Sequence, residues 1–195
     1  MSRDTATKTL QKRSRDRKSY HHGDLRRALL DAAREEIAAN GAQKLTLASL
    51  ARRAGVAQSA PYRHFVDRDD VLSAVAVEGF QELSAALRNA AEPGGAEGDD
   101  RRMAAAYLQF GERNVERYRL MFASRLVPDC PSDSPLSKAA KESYQVLLTG
   151  VSARGRSGRD ASPTAVWAQL HGLVMLKADG FVLEPLEALL RELTL

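Results

Sequence analysis

The chain has 195 residues, 44% hydrophobic and 28% charged, with a formal net charge of +4 at pH 7. This composition can build a packed core and excludes global disorder, and no apolar run approaches the roughly 18 residues of a membrane span. A single cysteine, Cys130, excludes an internal disulfide and a multi-cysteine zinc site. With an Arg/Lys-rich start that lacks an apolar signal core, this points to a reducing, cytoplasmic home.

Charge is unevenly placed. Residues 1–65 carry 14 Lys and Arg against 6 Asp and Glu, whereas residues 66–195 carry 15 against 19. A basic first third on a mildly acidic remainder suits an end that meets a polyanion, with a solvated charged tail as the alternative. Residues 1–19 hold one large apolar side chain, Leu10, among 7 basic and 2 acidic residues. They read as a disordered basic arm.

Beyond the arm the apolar spacing is helical throughout, with no period-two strand and no internal repeat. A first helix is expected over 23–40, with Leu25, Leu29, Ala32, Ala33 and Ile37 on one face and Gly41 ending it. A second begins at the N-cap Thr46, carries Leu47, Leu50, Ala51 and Ala54, and stops at Gly55. A third short helix is expected over 58–65, with Pro61 held within its first turn.

A long fourth helix follows from Asp67. Asp67, Asp69 and Asp70 suit the positive end of its dipole, and Leu72, Val75, Gly79, Leu83 and Leu87 form one stripe. Residues 92–100 read as a loop. Helical patterns resume over 101–117 and 118–126, and prolines at 128, 131 and 135 break them. Further helices are expected over 137–152, 162–179 and 184–193, separated by the Gly/Arg loop 154–160. The expectation is an all-α fold of nine helices.

The second and third helices, joined through Ala54-Gly55-Val56, form a helix-turn-helix candidate. In that arrangement the first helix packs and the second presents side chains to base edges in the major groove. Val56, Ala60 and Phe65 supply apolar contacts, leaving Gln58, Ser59, Tyr62, Arg63 and His64 to face outward. Gln can pair with adenine and Arg with guanine, while Tyr, His and Arg also bond phosphate oxygens. A small hairpin with an incidental glycine turn is the plain alternative.

The run Gly55-Val56, then Tyr62-Arg63-His64-Phe65, then Asp67-Arg68-Asp69-Asp70-Val71-Leu72 resembles the helix-turn-helix of the tetracycline-repressor (TetR) family. Upstream, Tyr20-His21-His22-Gly23-Asp24-Leu25-Arg26 is similar to the first-helix opening of one subgroup. Downstream, Trp167, His171 and Gly172 are similar to the Trp-His-Gly signature of the matching C-terminal domain. The resemblance covers about residues 20–180. It implies a helix-turn-helix domain over 20–66 and an effector-binding, dimerising body over 67–195. It further implies a homodimer on a palindromic operator in double-stranded DNA, released by a small-molecule effector, most members being repressors.

The carried-over DNA contacts are Thr46 as a polar cap beside phosphates, Gln58, Ser59 and Ala60 at base-reading positions, and Tyr62 and His64 as phosphate holders. Arg63 adds an outward cation, and Arg68 stands where the family often has lysine. Pro61 departs from the commoner leucine or threonine. In the body, Tyr107, Phe110, Tyr118, Met121 and Phe122 suit an apolar pocket or an ordinary core. Trp167 and His171, four apart, suit core packing or the same pocket. Leu170, Val174, Leu186, Leu189 and Leu190 lie on two apolar faces that an isologous dimer could use.

Other chemistries find little support. His21, His22 and Asp24 lack a metal-binding spacing, Cys130 has no resolving partner, and no cofactor motif is present. No nucleophile elbow, phosphate loop or H-E-x-x-H run points to an enzyme. The remaining alternative is a DNA-organising or protein-interaction module without a small ligand.

Overall fold

The computed structural model describes residues 22–91, 99–122, 124–152 and 162–193. The expectations for the arm 1–19, for His21 and for the loop 154–160 lie outside these residues. Among the described residues the chain is all α-helical, apart from two 3-10 turns. The helices are α1 (His22–Asn40), α2 (Leu47–Arg53), α3 (Arg68–Ala90), α4 (Asp99–Arg113), α5 (Val115–Phe122), α6 (Leu126–Asp129), α7 (Pro135–Ser152), α8 (Pro163–Ala178) and α9 (Leu186–Glu192).

That number equals the expected nine, but the inventory differs. The expected helix over 58–65 is a single 3-10 turn, Pro61–Arg63. Proline has no N–H to give, so no helical bond can enter at position 61. The segment closes instead through Ala60 N to Ala57 O, Arg63 N to Ala60 O and His64 N to Pro61 O. In exchange, the proline-rich stretch contains α6, whose Pro128 sits in a first turn where an N–H has no helical acceptor. α7 starts at Pro135 rather than 137, and the Ser134 hydroxyl accepts from Ser137 N at 3.1 Å. The break between α4 and α5 falls at Asn114, whose Nδ2 donates to Phe110 O at 2.9 Å.

α3 is the axis. At about 1.5 Å per residue its 23 residues make a rod of roughly 35 Å. It packs on α1 at one end and on α4, α5 and α7 along the rest. Val71, Leu72, Val75, Phe80, Leu83 and Leu87 are buried along it. Its start is capped twice over: Asp67 accepts from Asp70 N at 2.9 Å, and Asp70 accepts from Val66 N at 3.0 Å. Arg34 of α1 donates to Glu78 of α3 at 2.6 Å and is also paired with Asp31, so the first domain is tied to the rod.

Gly41 and Gly55, with φ of 78° and 67°, end α1 and turn the chain after α2. This is a backbone region that side chains with a Cβ disfavour. No described helix is long and apolar enough to cross a membrane.

α4 and α8 approach closely at Gly111, where an added Cβ would lie 2.4 Å from Val174 Cγ1. Alanine favours a helix over glycine by roughly 1 kcal/mol, but overpacking a rigid β-branched neighbour costs typically 1–3 kcal/mol. Gly111→Ala is therefore expected to lower stability. A denaturant midpoint at or above that of the parent would show that the two helices can part.

Candidate functional site

The N-terminal site is built on α2 and the turn after it. Thr46 caps α2 through a reciprocal pair: its hydroxyl accepts from Ser49 N at 3.0 Å, and its N–H donates to Ser49 Oγ at 3.1 Å. It is exposed, with Gln58, Ser59 and Arg63, while Ala60 and His64 are half-buried. Tyr62 is 64% exposed although it is a large aromatic. Pro61 and Phe65 point inward as the anchors of this segment, and the Arg26 guanidinium lies 5.2 Å over the Phe65 ring. A 3-10 turn advances faster per residue than an α-helix, so Gln58 to Arg63 form an exposed bend rather than a regular helix face.

Arg68 faces the other way. Its Nε donates to Leu45 O at 3.0 Å, its Nη2 to Ala42 O at 2.8 Å, and its Nη1 to Asp69 at 3.0 Å. The fork joins the first turn of α3 to the link between α1 and α2.

The body holds a half-open cavity of about 220 Å³ between α3, α4, α5, α6, α7 and α8. Tyr107, Met121, Phe122 and Trp167 are among its lining residues. Behind that wall runs a buried hydrogen-bond relay. Trp167 Nε1 donates to Tyr107 Oη at 3.1 Å, Tyr107 and Tyr118 hydroxyls meet at 2.8 Å, and Tyr118 Oη lies 2.7 Å from His171 Nδ1. Indole can only donate. Every proton is therefore placed if Tyr107 donates to Tyr118, and Tyr118 donates to a neutral His171 whose own hydrogen is on Nε2.

Burial pushes the Tyr107 phenol up to about 12 and the Tyr118 phenol further up, so both remain protonated. Burial also holds His171 below its usual value. Phe110 belongs to a different environment, buried under the Arg117 guanidinium at 5.6 Å.

Two family models match. Residues 29–75 match the tetR family of bacterial regulatory proteins, and residues 100–194 match a tetracyclin repressor-like C-terminal domain. The chain belongs to the TetR family. It is a DNA-binding transcriptional regulator of the helix-turn-helix type.

Among solved structures, a Rhodococcus sp. RHA1 protein of unknown function is 31% identical, with a TM-score of 0.74, over 89% of this chain and 93% of that one. A tetR-family regulatory protein from Rhodococcus RHA1 is 18% identical, with a TM-score of 0.67, over 86% and 95%. AibR, solved with isovaleryl coenzyme A and operator DNA, is 15% identical, with a TM-score of 0.67, over 86% and 94%. The last two likenesses carry the fold alone. A search of curated proteins finds no match.

Within this TetR frame the sequence-based cavity was incomplete. Phe80, Val127, Pro128, Ala140, Ser143, Tyr144 and Leu147 also line it. Tyr144 was the most legible of these, an aromatic on an otherwise aliphatic helical stripe. Tyr118 and His171 act from behind, through Tyr107.

The dimer expectation is redirected. Leu170, Val174, Leu186 and Leu189 are buried in the chain's own packing, and Leu190 is half-buried against the same core. Two helices that must first cover α4 use up these side chains. The large apolar residues left outside at this corner, among the described residues, are Leu176, Phe181 and Leu183, at 45%, 78% and 83% exposure.

Two measurements follow. Arg68→Lys replaces a fork by a point charge and is expected to lower stability by about 1–3 kcal/mol without changing the salt dependence of DNA binding. A log–log salt slope shallower by about one would instead put Arg68 on a phosphate. His171 has a lowered folded-state value, so the unfolded chain binds the extra proton first as pH falls. Its contribution to stability is complete above about 6.5 and is lost as pH falls through the lower folded value. Thermal midpoints of the parent and His171→Gln should diverge above pH 6.5 and converge in acid; a constant difference would remove the relay from the pH response.

Proposed function

We propose that this regulator is an effector-released repressor that acts in the cytoplasm as a homodimer on a palindromic operator. The observation that carries the reading is the placement of α5. Its Tyr118, Met121 and Phe122 reach the cavity or the relay behind it, while the same helix packs on α1 and on the 3-10 turn Ala42–Lys44 of the reading domain. Met121 also presses on the rod: its Sδ would lie 2.5 Å from a Cβ at Gly79 of α3. A ligand that moves Met121 or Phe122 therefore bears on both elements that hold the helix-turn-helix. It shifts the protein only through its difference in affinity for the operator-bound and released states.

In this reading Gln58, Ser59 and Ala60 approach base edges, and Thr46, Tyr62, Arg63 and His64 meet phosphates. A dimer would set the two reading segments about 34–36 Å apart, one turn of DNA. Leu176, Phe181 and Leu183 supply apolar area for the second copy. Among solved neighbours, AibR holds both a coenzyme A thioester and operator DNA, which supports a two-site regulator by analogy.

Selection from a random DNA library at near-physiological salt tests the reading. An enriched palindrome is expected. Salt-sensitive binding without enrichment would favour the alternative of a DNA-organising module. On the selected site, Tyr62→Ala should remove a hydrogen bond to a charged group worth about 1.5–3 kcal/mol, roughly tenfold or more in affinity, and equally for all operators. A change confined to sequence preference would move Tyr62 from phosphate to base.

A further inference from the structure

Among the described residues, the cavity wall contains no Lys, Arg, His, Asp or Glu. Five rings, from Phe80, Tyr107, Phe122, Tyr144 and Trp167, make up much of it. Their polar atoms are already engaged. Trp167 Nε1 gives its hydrogen to Tyr107, the Tyr107 hydroxyl is bonded to Tyr118, and Tyr144 Oη lies 2.9 Å from Thr164 Oγ1. An anion buried here would lose its hydration and meet, among the described residues of the wall, neither a cation nor a set of N–H donors to replace it.

A cation is better served by ring faces, but here the rings cover one another. Phe80 meets Phe122 edge to face at 5.2 Å, and Tyr144 meets Trp167 the same way at 5.3 Å. In each pair one face is already closed by its neighbour's edge, and among the described residues of the wall no carboxylate stands to balance a positive charge.

The volume limits how much of a ligand can be buried here. An apolar cavity of roughly 150 Å³ accommodates benzene. The 220 Å³ here suits one ring with a short substituent, or an aliphatic skeleton of equal bulk. The buried Ser143 adds a hydroxyl to the wall, enough for one polar group on the ligand.

We infer that the cavity takes a small uncharged group, a single aromatic ring or comparable aliphatic skeleton with at most one hydroxyl or carbonyl group, and rejects carboxylates and organic cations. This rests on the proposed reading of the cavity as the effector site.

Trp167 is the sole tryptophan of the chain and stands in the wall, so its emission reports occupancy. The test titrates the full-length protein with 2-phenylethanol, phenylacetate and benzyltrimethylammonium, following Trp167 emission and the thermal midpoint. It is repeated with Ala140→Leu, which fills the cavity, or with Ala140→Val if the larger side chain prevents folding.

The alcohol is expected to bind saturably and raise the midpoint, the two ions to bind at least tenfold more weakly, and the filled variant to lose the response. Either ion binding within threefold of the alcohol would overturn the inference while leaving the cavity a ligand site. Silence to all three probes would overturn the inference and the cavity reading together. Binding of the alcohol without release of the selected operator would uphold the ligand class and sink the effector role.

Discussion

The structure depends on the fork of Arg68. A guanidinium at the first residue of α3 holds the carbonyls of Ala42 and Leu45, which belong to the link between α1 and α2. A planar group with fixed donor directions can satisfy two carbonyls only in one relative placement of the rod and the reading domain. The Asp67 and Asp70 caps fix the same end of the rod, and the Arg34–Glu78 pair fixes the next turns against α1. The reading segment, with its short 3-10 turn, has little regular structure of its own. Its geometry is inherited from these ties and from Phe65 and Pro61 beneath it.

The same economy governs the body. α8 is apolar on nearly every side, so it can pack on α4 and α7, line the cavity through Trp167 and still leave Leu176 outside. What gives this greasy helix a fixed rotation is its polar relay. Trp167 Nε1 is bonded to Tyr107 and His171 Nδ1 to Tyr118, and the two tyrosines are bonded to each other. A satisfied buried network of this kind disfavours rotations that would strand any of its members. It also joins α4, α5 and α8 behind one wall of the cavity.

Much of this was legible in the sequence, for physical reasons that differ by element. The stripes of α1 and α3 were readable because each helix is buried on one side only, so period 3.6 survives in the residue order. Gly41, Thr46 and Asp67 announced helix ends because their backbone or side-chain chemistry acts locally. The cavity was half-legible: Tyr107, Met121, Phe122 and Trp167 stood out as large side chains, whereas nothing local marks Phe80, Ala140 and Leu147 as lining a gap. Whether a core residue faces a gap depends on what stands opposite, and that is tertiary information. Arg68 was misleading for a related reason. A cation near a DNA-reading motif suggests phosphate, and only the fold shows two backbone carbonyls within its reach. The leucines of α8 and α9 failed as dimer markers because apolar periodicity says that a face is covered, not by which chain.

The size of the cavity also constrains the energetics of switching. Ligands of about nine heavy atoms gain at most roughly 1.5 kcal/mol per atom, and larger ones about 0.3. Turning a two-state equilibrium from 1:99 to 99:1 takes about 5.5 kcal/mol of differential binding. Even at that ceiling, about 13.5 kcal/mol for nine atoms, roughly two-fifths of the ligand's binding energy must distinguish the two states. The wall meets this condition where α5 contributes Met121 and Phe122, because any shift of that helix alters ligand contacts and the seat of the reading domain together. The operator-bound and released forms must then lie within a few kcal/mol of each other before any ligand arrives. A rigid reading head on a nearly balanced hinge fits a weak lever of this size.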